Sequence, residues 1–225
     1  MSSHCSRTRS LLLLLALSLL TAVVADATVL EYNNKTQFIA ALGANSAVET
    51  FDGLPNLDVN SDPGYLGPVS FNPGVFSFSA AVPPNGADAG YLYSSDIGGG
   101  DIALSTYNEN NPIVLTFAGG NVLAVGGYFW NTAWDYSPLS GAIVLTLNGG
   151  APVTINTNGP SFYGFISDVP ITSLTVAPAE GMFATINDLY LDDAPVADTP
   201  EPGTVLAAVA GLAALALVRR RRALP

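Results

Sequence analysis

Between about residue 28 and residue 193, hydrophobic and polar positions alternate over short runs that are separated by turn residues. A period of two predicts half-buried β-strands, and runs this short and frequent favour an antiparallel all-β sandwich over strand–helix–strand units. Gly119-Gly120, Asn148-Gly149 and Asn158-Gly159 supply turn signals between runs. The predicted strands are Val48–Phe51, Gly74–Ser79, Pro112–Phe117, Val122–Trp130, Ala142–Leu147, Val153–Ile155, Ser161–Ser167, Ile171–Val176 and Ala184–Leu191.

One stretch near the start of this region has a helical pattern instead. Asn34 is a suitable N-cap, Gln37 stands where a capping box places its partner, and Phe38 and Leu42 share one helical face. Gly43 is expected to stop the helix. The region 28–193 is therefore predicted to be one all-β domain with a single short N-terminal helix.

The first segment of the chain is dominated by one apolar run. Arg7 and Arg9 precede the run Leu11–Ala25, and small residues follow it. This order predicts a secretory signal peptide over residues 1–27, with cleavage after Ala25 or Ala27.

The last segment also contains an apolar run. Gly203–Val218 holds sixteen residues without a charge, and a helix of that length reaches only about 24 Å, which is short for a permanent span. The four arginines Arg219, Arg220, Arg221 and Arg222 follow it and would stay on the cytoplasmic side by the positive-inside rule. We expect a transmembrane helix over 203–218 that holds the exported chain in the inner membrane. Small residues in the run leave open an ordinary tail anchor that packs against another helix.

The order of features in this tail resembles a known sorting signal. Pro200, Glu201 and Pro202 are followed by the short apolar helix and then by the arginine cluster. This arrangement is similar to the PEP-CTERM signal of exported bacterial proteins, over residues 200–222. The resemblance implies processing by the membrane protease-transferase exosortase, removal of the helix, and delivery to the cell surface or the extracellular matrix. Residues 194–199, rich in Pro, Ala and Asp, would be the linker before the signal.

The net charge limits the possible functions of residues 28–200, the part that would remain after both ends are removed. The chain has seven Lys and Arg against eighteen Asp and Glu, and without the terminal arginines, Asp26 and Glu201, one lysine stands against sixteen acids, a net charge of −15. Phosphate binding needs clustered cations, so nucleic acid is not expected as a partner. The only histidine, His4, and the only cysteine, Cys5, lie in the predicted signal peptide. The mature chain is therefore expected to lack disulfides, zinc sites, a cysteine nucleophile and a Ser-His-Asp triad.

Carboxylate chemistry is the enzymatic possibility that this composition leaves. A glycosidase needs only two Asp or Glu about 5 to 10 Å apart. Among sixteen acids such a pair arises easily by chance, and acids also keep a protein surface solvated. We expect no enzyme, with a carboxylate glycosidase as the remaining enzymatic alternative.

The body of the chain carries a second resemblance. The stretches "YNNKTQFIAALG", "VETFDGLP" and "FYGFISDVPITSLTV", leading to "ATINDLYLDD", look like the jelly-roll ectodomains found ahead of this sorting tail. The closing strand is also similar to that of carbohydrate-binding-module jelly rolls, in which the first and last strands meet beside a structural calcium. Carried over by position, the resemblance implies calcium ligands at Asp52, Asn187 and Asp188.

A second acidic stretch has calcium-like spacing. Asp58, Asn60 and Asp62 have the one-three-five oxygen spacing of a calcium loop. Pro63 and Val69 stand where that loop needs Gly and Glu. An Asx turn is the alternative, because Asp and Asn side chains readily bond their own backbone.

Aromatic residues are densest in "GYFWNTAWDYSP", residues 127–138. Trp134 and Tyr136 fall where a loop is expected, beside hydrogen-bonding Asp135 and Ser137, which is the composition of a sugar-binding platform. The alternative is an aromatic loop folded over the end of the domain as packing.

Together these patterns predict an exported cell-surface or extracellular-matrix protein with a structural or interaction role. A carbohydrate-binding module is the alternative, with extracellular polysaccharide as its partner.

Overall fold

The computed structural model describes residues 28–57, 64–84 and 90–194. The predicted signal peptide, the acidic loop 58–63, and the linker and sorting tail from residue 195 onward lie outside these ranges. The described part contains one helix, α1 (Lys35–Ala40), and these strands: β1 (Val29–Tyr32), β2 (Ala47–Glu49), β3 (Val69–Phe71), β4 (Ser77–Ala81), β5 (Leu92–Asp96), β6 (Ile102–Thr106), β7 (Ile113–Ala118), β8 (Ala124–Thr132), β9 (Pro138–Leu147), β10 (Pro152–Asn158), β11 (Ser161–Ser167), β12 (Ser173–Ala177) and β13 (Phe183–Asp192).

The strands form one curled antiparallel sheet, which confirms the predicted all-β class. Its main path runs β3-β4-β7-β12-β9-β8-β13-β6-β5, with β10 beside β9, β11 beside β8, β1 beside β11, and β2 beside β13. β8 and β9 pair only through Asn131 with Leu139 and Thr132 with Pro138, where the sheet turns a corner. We call the part from β8 to β5, with β11, β1 and β2, the first half, and the part from β9 to β3, with β10, the second half.

The core lies between the two halves. A single cluster of buried apolar side chains includes Leu104, Phe129 and Ile186 from the first half and Leu115 and Ile143 from the second. Because side chains alternate along a strand, this burial fixes which face of each strand points inward. Burial of one large apolar side chain contributes about 1.5 to 3 kcal/mol, so the shared cluster holds the halves together.

Helix α1 begins as the sequence predicts. Asn34 is the N-cap, and its side-chain oxygen accepts a hydrogen bond from the backbone N–H of Gln37 at 3.1 Å. Phe38 is fully buried on the outer side of the first half, where its ring contacts those of Tyr32 and Phe162. The helix thus covers the edge formed by β1 and β11.

Two glycines make room for the Phe38 ring. A Cβ atom at Gly164 would come within 2.6 Å of the ring, and one at Gly126 within 2.9 Å. Gly164 lies in β11 directly opposite Gly126 in β8. The paired glycines therefore form the floor on which the helix packs.

Gly164→Ala is expected to lower the free energy of unfolding by about 1 to 3 kcal/mol, because the added methyl group must displace the buried Phe38 ring. Urea denaturation of the variant and of the parent measures this. Gly53→Ala is the matched control, since a Cβ there meets nothing within 4 Å, and it should change the stability by at most about 0.5 kcal/mol. Equal stabilities for the two variants would contradict the packing account.

Gly43 does not stop the helix as predicted, because the helix ends earlier, with its C-cap at Ala41. Gly43 lies against the end of β13, where its N–H donates to the buried carboxylate of Asp192, and a Cβ would collide with the backbone of Ala194. Asn45 donates to Asp193 at 3.2 Å. These contacts fix the last described residues of the domain to the segment that follows α1.

The turn between β9 and β10 confirms one of the predicted turn signals. Asn148 and Gly149 have φ values of 51° and 67°, and Gly150 N–H donates to the carbonyl of Leu147 at 2.8 Å. Positive φ at both central residues matches the right-handed twist of a hairpin.

Candidate functional site

Two of the three predicted calcium ligands lie at one place in the fold. Asp52 follows β2, and its Oδ1 accepts the backbone N–H of Ile102 at 3.1 Å. Asn187 lies in β13, and its Nδ2 donates to Oδ1 of Asp101 at 2.9 Å. Because Asp101 and Ile102 are consecutive, both Asp52 and Asn187 are bonded to the start of β6. We call Asp52, Asp101 and Asn187 the acidic junction.

The amide oxygen of Asn187 is the unusual atom of the junction. Asn187 is only 5% exposed, and its Oδ1 is buried without a hydrogen-bond partner among the described residues. An unsatisfied buried polar atom costs about 1 to 3 kcal/mol, so native proteins rarely leave one without a reason. Carboxylate and amide oxygens are the ligands that calcium prefers, and the donor set of the junction fits that ion.

Asp188, the third predicted ligand, has a different partner. A β-bulge interrupts the pairing of β13 with β8 after Asn187, and Asp188 has a φ of 48°. Its Oδ2 lies 3.8 Å from Nζ of Lys35. The Lys35 ammonium also lies about 5 Å from the ring centroids of Tyr128 and Tyr190. The structure therefore places Asp188 in an ion pair with Lys35 of α1, whose ammonium group also lies over two tyrosine rings.

The surroundings of Lys35 favour its charged form. A hydrogen bond with Tyr190 raises the pKa of Lys35 against the smaller, opposing effect of burial, and Tyr128 and Asp188 add to the increase. In residues 28–57, 64–84 and 90–194 this is the only Lys or Arg. Among the described residues, the acidic junction thus has no arginine or second lysine to balance its charge.

Within those same ranges, no cluster of three or more His, Cys, Asp or Glu side chains is arranged to hold a metal ion. The acidic junction contains two carboxylates and one amide. The alternative calcium loop at Asp58, Asn60 and Asp62 lies outside the described residues.

The two predicted sugar-binding aromatics have different environments. Trp134 is 69% exposed on the loop between β8 and β9. Tyr136 is only 9% exposed, and its ring stacks in parallel on that of Tyr93, with the centroids 4.2 Å apart. Burial, followed by the neighbouring Tyr93 and Tyr107, raises the pKa of Tyr136. One face of Tyr136 is thus taken by packing, whereas Trp134 remains open to solvent.

A cleft of about 300 Å³ lies beside this loop. Its walls come from the end of β5, from the β8–β9 loop and from the β10–β11 turn, and Trp130 of β8 also lines the cleft. The lining residues are Ser95, Asp96, Ile97, Trp130, Asp135, Tyr136, Ser137, Pro138 and Pro160.

Asp135 is held in a fixed position on the cleft wall. Its Oδ1 accepts hydrogen bonds from the backbone N–H of Ser137 at 3.0 Å and from the Ser137 hydroxyl at 2.6 Å. These bonds lower the pKa of Asp135, because they stabilise the charged carboxylate. The group stays ionised at neutral pH.

No family model, curated protein or solved structure matches the chain. Its function is therefore inferred from its own geometry and sequence.

The membrane-related predictions concern other parts of the chain. In the described ranges, no helix is both long enough and apolar enough to cross a bilayer. The signal peptide 1–27, the span 203–218 and the sorting motif Pro200, Glu201 and Pro202 fall outside those ranges and stay predictions.

Three residues of the acidic junction and the cleft were not predicted from the sequence. Asp101, Asp96 and Trp130 carry no local motif, and each joins a site only through strand pairing. No sequence signal identifies Asp101, because it joins the site only where β6 lies beside β13. No sequence pattern gives the pairing of β13 with β6.

Proposed function

We propose that this chain is an exported protein of the cell surface or extracellular matrix, delivered by its PEP-CTERM-like tail and serving a structural or interaction role. The observation that carries the proposal is the tail itself, in which the Pro-Glu-Pro motif, a short apolar run and an arginine cluster follow one another. The contacts of Asp192 and Asp193 support it, because they fix the end of the folded domain a few residues before the motif. Exosortase is the proposed processing partner.

The proposed finer fold is a jelly-roll β-sandwich ectodomain over residues 28–193. The two halves of the curled sheet and the apolar cluster between them support this assignment. A structural calcium at the acidic junction belongs to the same proposal.

Cell fractionation tests the export. Most of the protein should be found in the surface or matrix fraction, with a precursor in the inner membrane. Protein confined to the cytoplasm in an exosortase-containing host would overturn the proposed function.

Carbohydrate binding is the second candidate function, and the exposed Trp134 ring, on the loop that also contributes residues to the cleft, favours it. Aromatic rings next to fixed polar groups are the usual means of holding a sugar face. The lowered pKa of Asp135 suits a hydrogen-bond acceptor better than a general acid of glycoside hydrolysis.

Trp134→Ala is expected to weaken the retention of the full chain on extracellular polysaccharide by about 1 to 3 kcal/mol, the effect of removing a ring stacked on a ligand. The melting temperature should change little, since the ring is exposed. Affinity electrophoresis and a thermal melt measure the two quantities. Unchanged retention with a large loss of stability would assign Trp134 to packing, and sugar released from the polysaccharide would restore the glycosidase alternative.

A further inference from the structure

Part of the outer face of the first half, where β6, β8 and β13 lie side by side, carries buried polar side chains. Side chains alternate along β8, so Trp130 lies on the face opposite the core residue Phe129, and it is directly paired with Thr185 of β13. On this face the hydroxyl of Thr185 lies within hydrogen-bond distance of those of Ser105, at 2.9 Å, and Thr132, at 3.0 Å. These hydroxyls satisfy one another.

Trp130, in the same layer, has an unpartnered polar atom. It is fully buried, and its indole Nε1 has no hydrogen-bond acceptor among the described residues. An indole N–H in a protein interior usually finds a partner. Trp130 is also one of the residues that line the 300 Å³ cleft.

The walls of the cleft are preorganised. Asp96 accepts the backbone N–H groups of Gly98 at 2.7 Å and Gly100 at 3.2 Å, which holds the β5–β6 turn in place. On the other side, Ala133 N–H donates to the carbonyl of Ser137 at 2.9 Å, which closes the β8–β9 loop around Asp135. A binding site whose polar groups are already fixed loses little conformational freedom when a ligand binds.

The charge of the cleft selects the class of ligand. Two of its lining residues are acidic and none is basic. Ionised carboxylates only accept hydrogen bonds, and they repel anions. A ligand that fits must donate through hydroxyl groups, offer an oxygen to a buried N–H, and carry no negative charge.

We propose that this cleft binds a residue of a neutral, hydroxyl-rich polysaccharide, with Asp135 accepting ligand hydroxyls and the Trp130 indole N–H donating to a ligand oxygen. The inference rests on the second candidate function, and it assigns the specificity to the cleft rather than to the exposed Trp134 ring. The cleft volume falls at the lower end of the range for small-ligand sites, of the order of 300 to 1,000 Å³, which suits one or two sugar rings.

The two tryptophans of the chain provide a direct optical test. In the full-length Trp134→Phe variant, Trp130 is the only tryptophan, and its fluorescence reports on the cleft. Oligosaccharides of glucose, galactose and mannose, added one at a time, are the neutral probes, and oligogalacturonide is the anionic probe. At least one neutral probe should change the emission saturably, and oligogalacturonide should bind at least about tenfold more weakly, a difference that one repelled charge accounts for.

Asp135→Asn in the Trp134→Phe background should weaken binding of the neutral probe by about tenfold, because an amide oxygen accepts a hydrogen bond from a hydroxyl less strongly than a carboxylate does. Asp168→Asn is the matched control and should leave binding unchanged, since Asp168 is an exposed carboxylate that accepts the N–H of Thr28 elsewhere on the domain. Melting temperatures of both variants show whether they are folded.

Three results would overturn the proposal. Either no neutral probe gives a saturable response, or oligogalacturonide binds as tightly as the neutral probes, or the Asp135→Asn variant binds the neutral probe as tightly as the Asp168→Asn variant does. If the parent still binds polysaccharide in these cases, only the cleft is wrong and carbohydrate binding stands. If the parent retains no polysaccharide, both fail.

Discussion

Chelating calcium is expected to lower the melting temperature of the full chain by about 5 to 10 °C. A ligand that binds only the folded state stabilises it by RT ln(1 + [Ca]/Kd), about 2.7 kcal/mol at a hundredfold excess over Kd. For a domain of this size, each kcal/mol corresponds to about 2 to 4 °C. The expected source is the acidic junction, where Asp52 and Asp101 contact the start of β6 and the buried oxygen of Asn187 has no hydrogen-bond partner among the described residues.

Single substitutions decide where the ion binds. Asp101→Asn removes a charge but keeps an oxygen for the Asn187 amide, so it should abolish the chelator effect with little change in fold. Asp188→Asn should keep the effect, because Asp188 pairs with Lys35. Loss of the effect only in Asp188→Asn would support the ligand set implied by the resemblance, and loss only in Asp58→Ala would move the ion to the loop 58–63. A melting temperature that chelator leaves unchanged rejects the calcium site.

Glu201→Ala is expected to block processing and to leave the full-length protein in the inner membrane. The substitution changes the motif that exosortase is proposed to recognise, so processing is lost. The apolar run and its arginines are unchanged and can still stop translocation. Membrane fractionation and an antibody against the domain measure the shift. Glu180→Ala, an exposed acid at a turn of the folded domain, should be processed normally, whereas normal processing of Glu201→Ala would show that the motif is not read.

The sequence predicts the elements whose side-chain pattern is local. The N-cap at Asn34 and the turn at Asn148 and Gly149 depend on neighbouring residues alone, and the structure confirms both. The strands from β7 to β13 also have a clear apolar face toward the core, and each corresponds to a predicted run.

β1, β3, β5 and β6 correspond to no predicted run, and for β6 the burial of both faces explains why. All five residues of β6 are buried, including Ser105 and Thr106. A strand covered on both faces shows no alternation of apolar and polar residues, and here the second face is filled by hydroxyl groups that bond to one another. The pattern that identifies a half-buried strand is absent from such a segment.

The candidate sites were predictable only in part. The resemblance to carbohydrate-binding-module jelly rolls predicted Asp52 and Asn187 as ligands, and both contact the start of β6 in the structure. Asp101 was not predicted, because it joins them only through the pairing of β6 with β13. Tyr136 and Trp134 look alike in the sequence, and only the stacking of Tyr136 on Tyr93 separates a packed ring from an exposed one. Such contacts join residues far apart in the chain, so composition and spacing do not contain them.

Mass spectrometry of the C-terminus of the surface-exposed protein tests the central claim most directly. If the chain is an exported protein released by processing of its tail, the mature form should end near residue 203 and contain no peptide from Leu206–Val218, because processing at the Pro-Glu-Pro motif removes the apolar run that follows it. Recovery of an intact peptide from that run in protein at the cell surface would contradict the account.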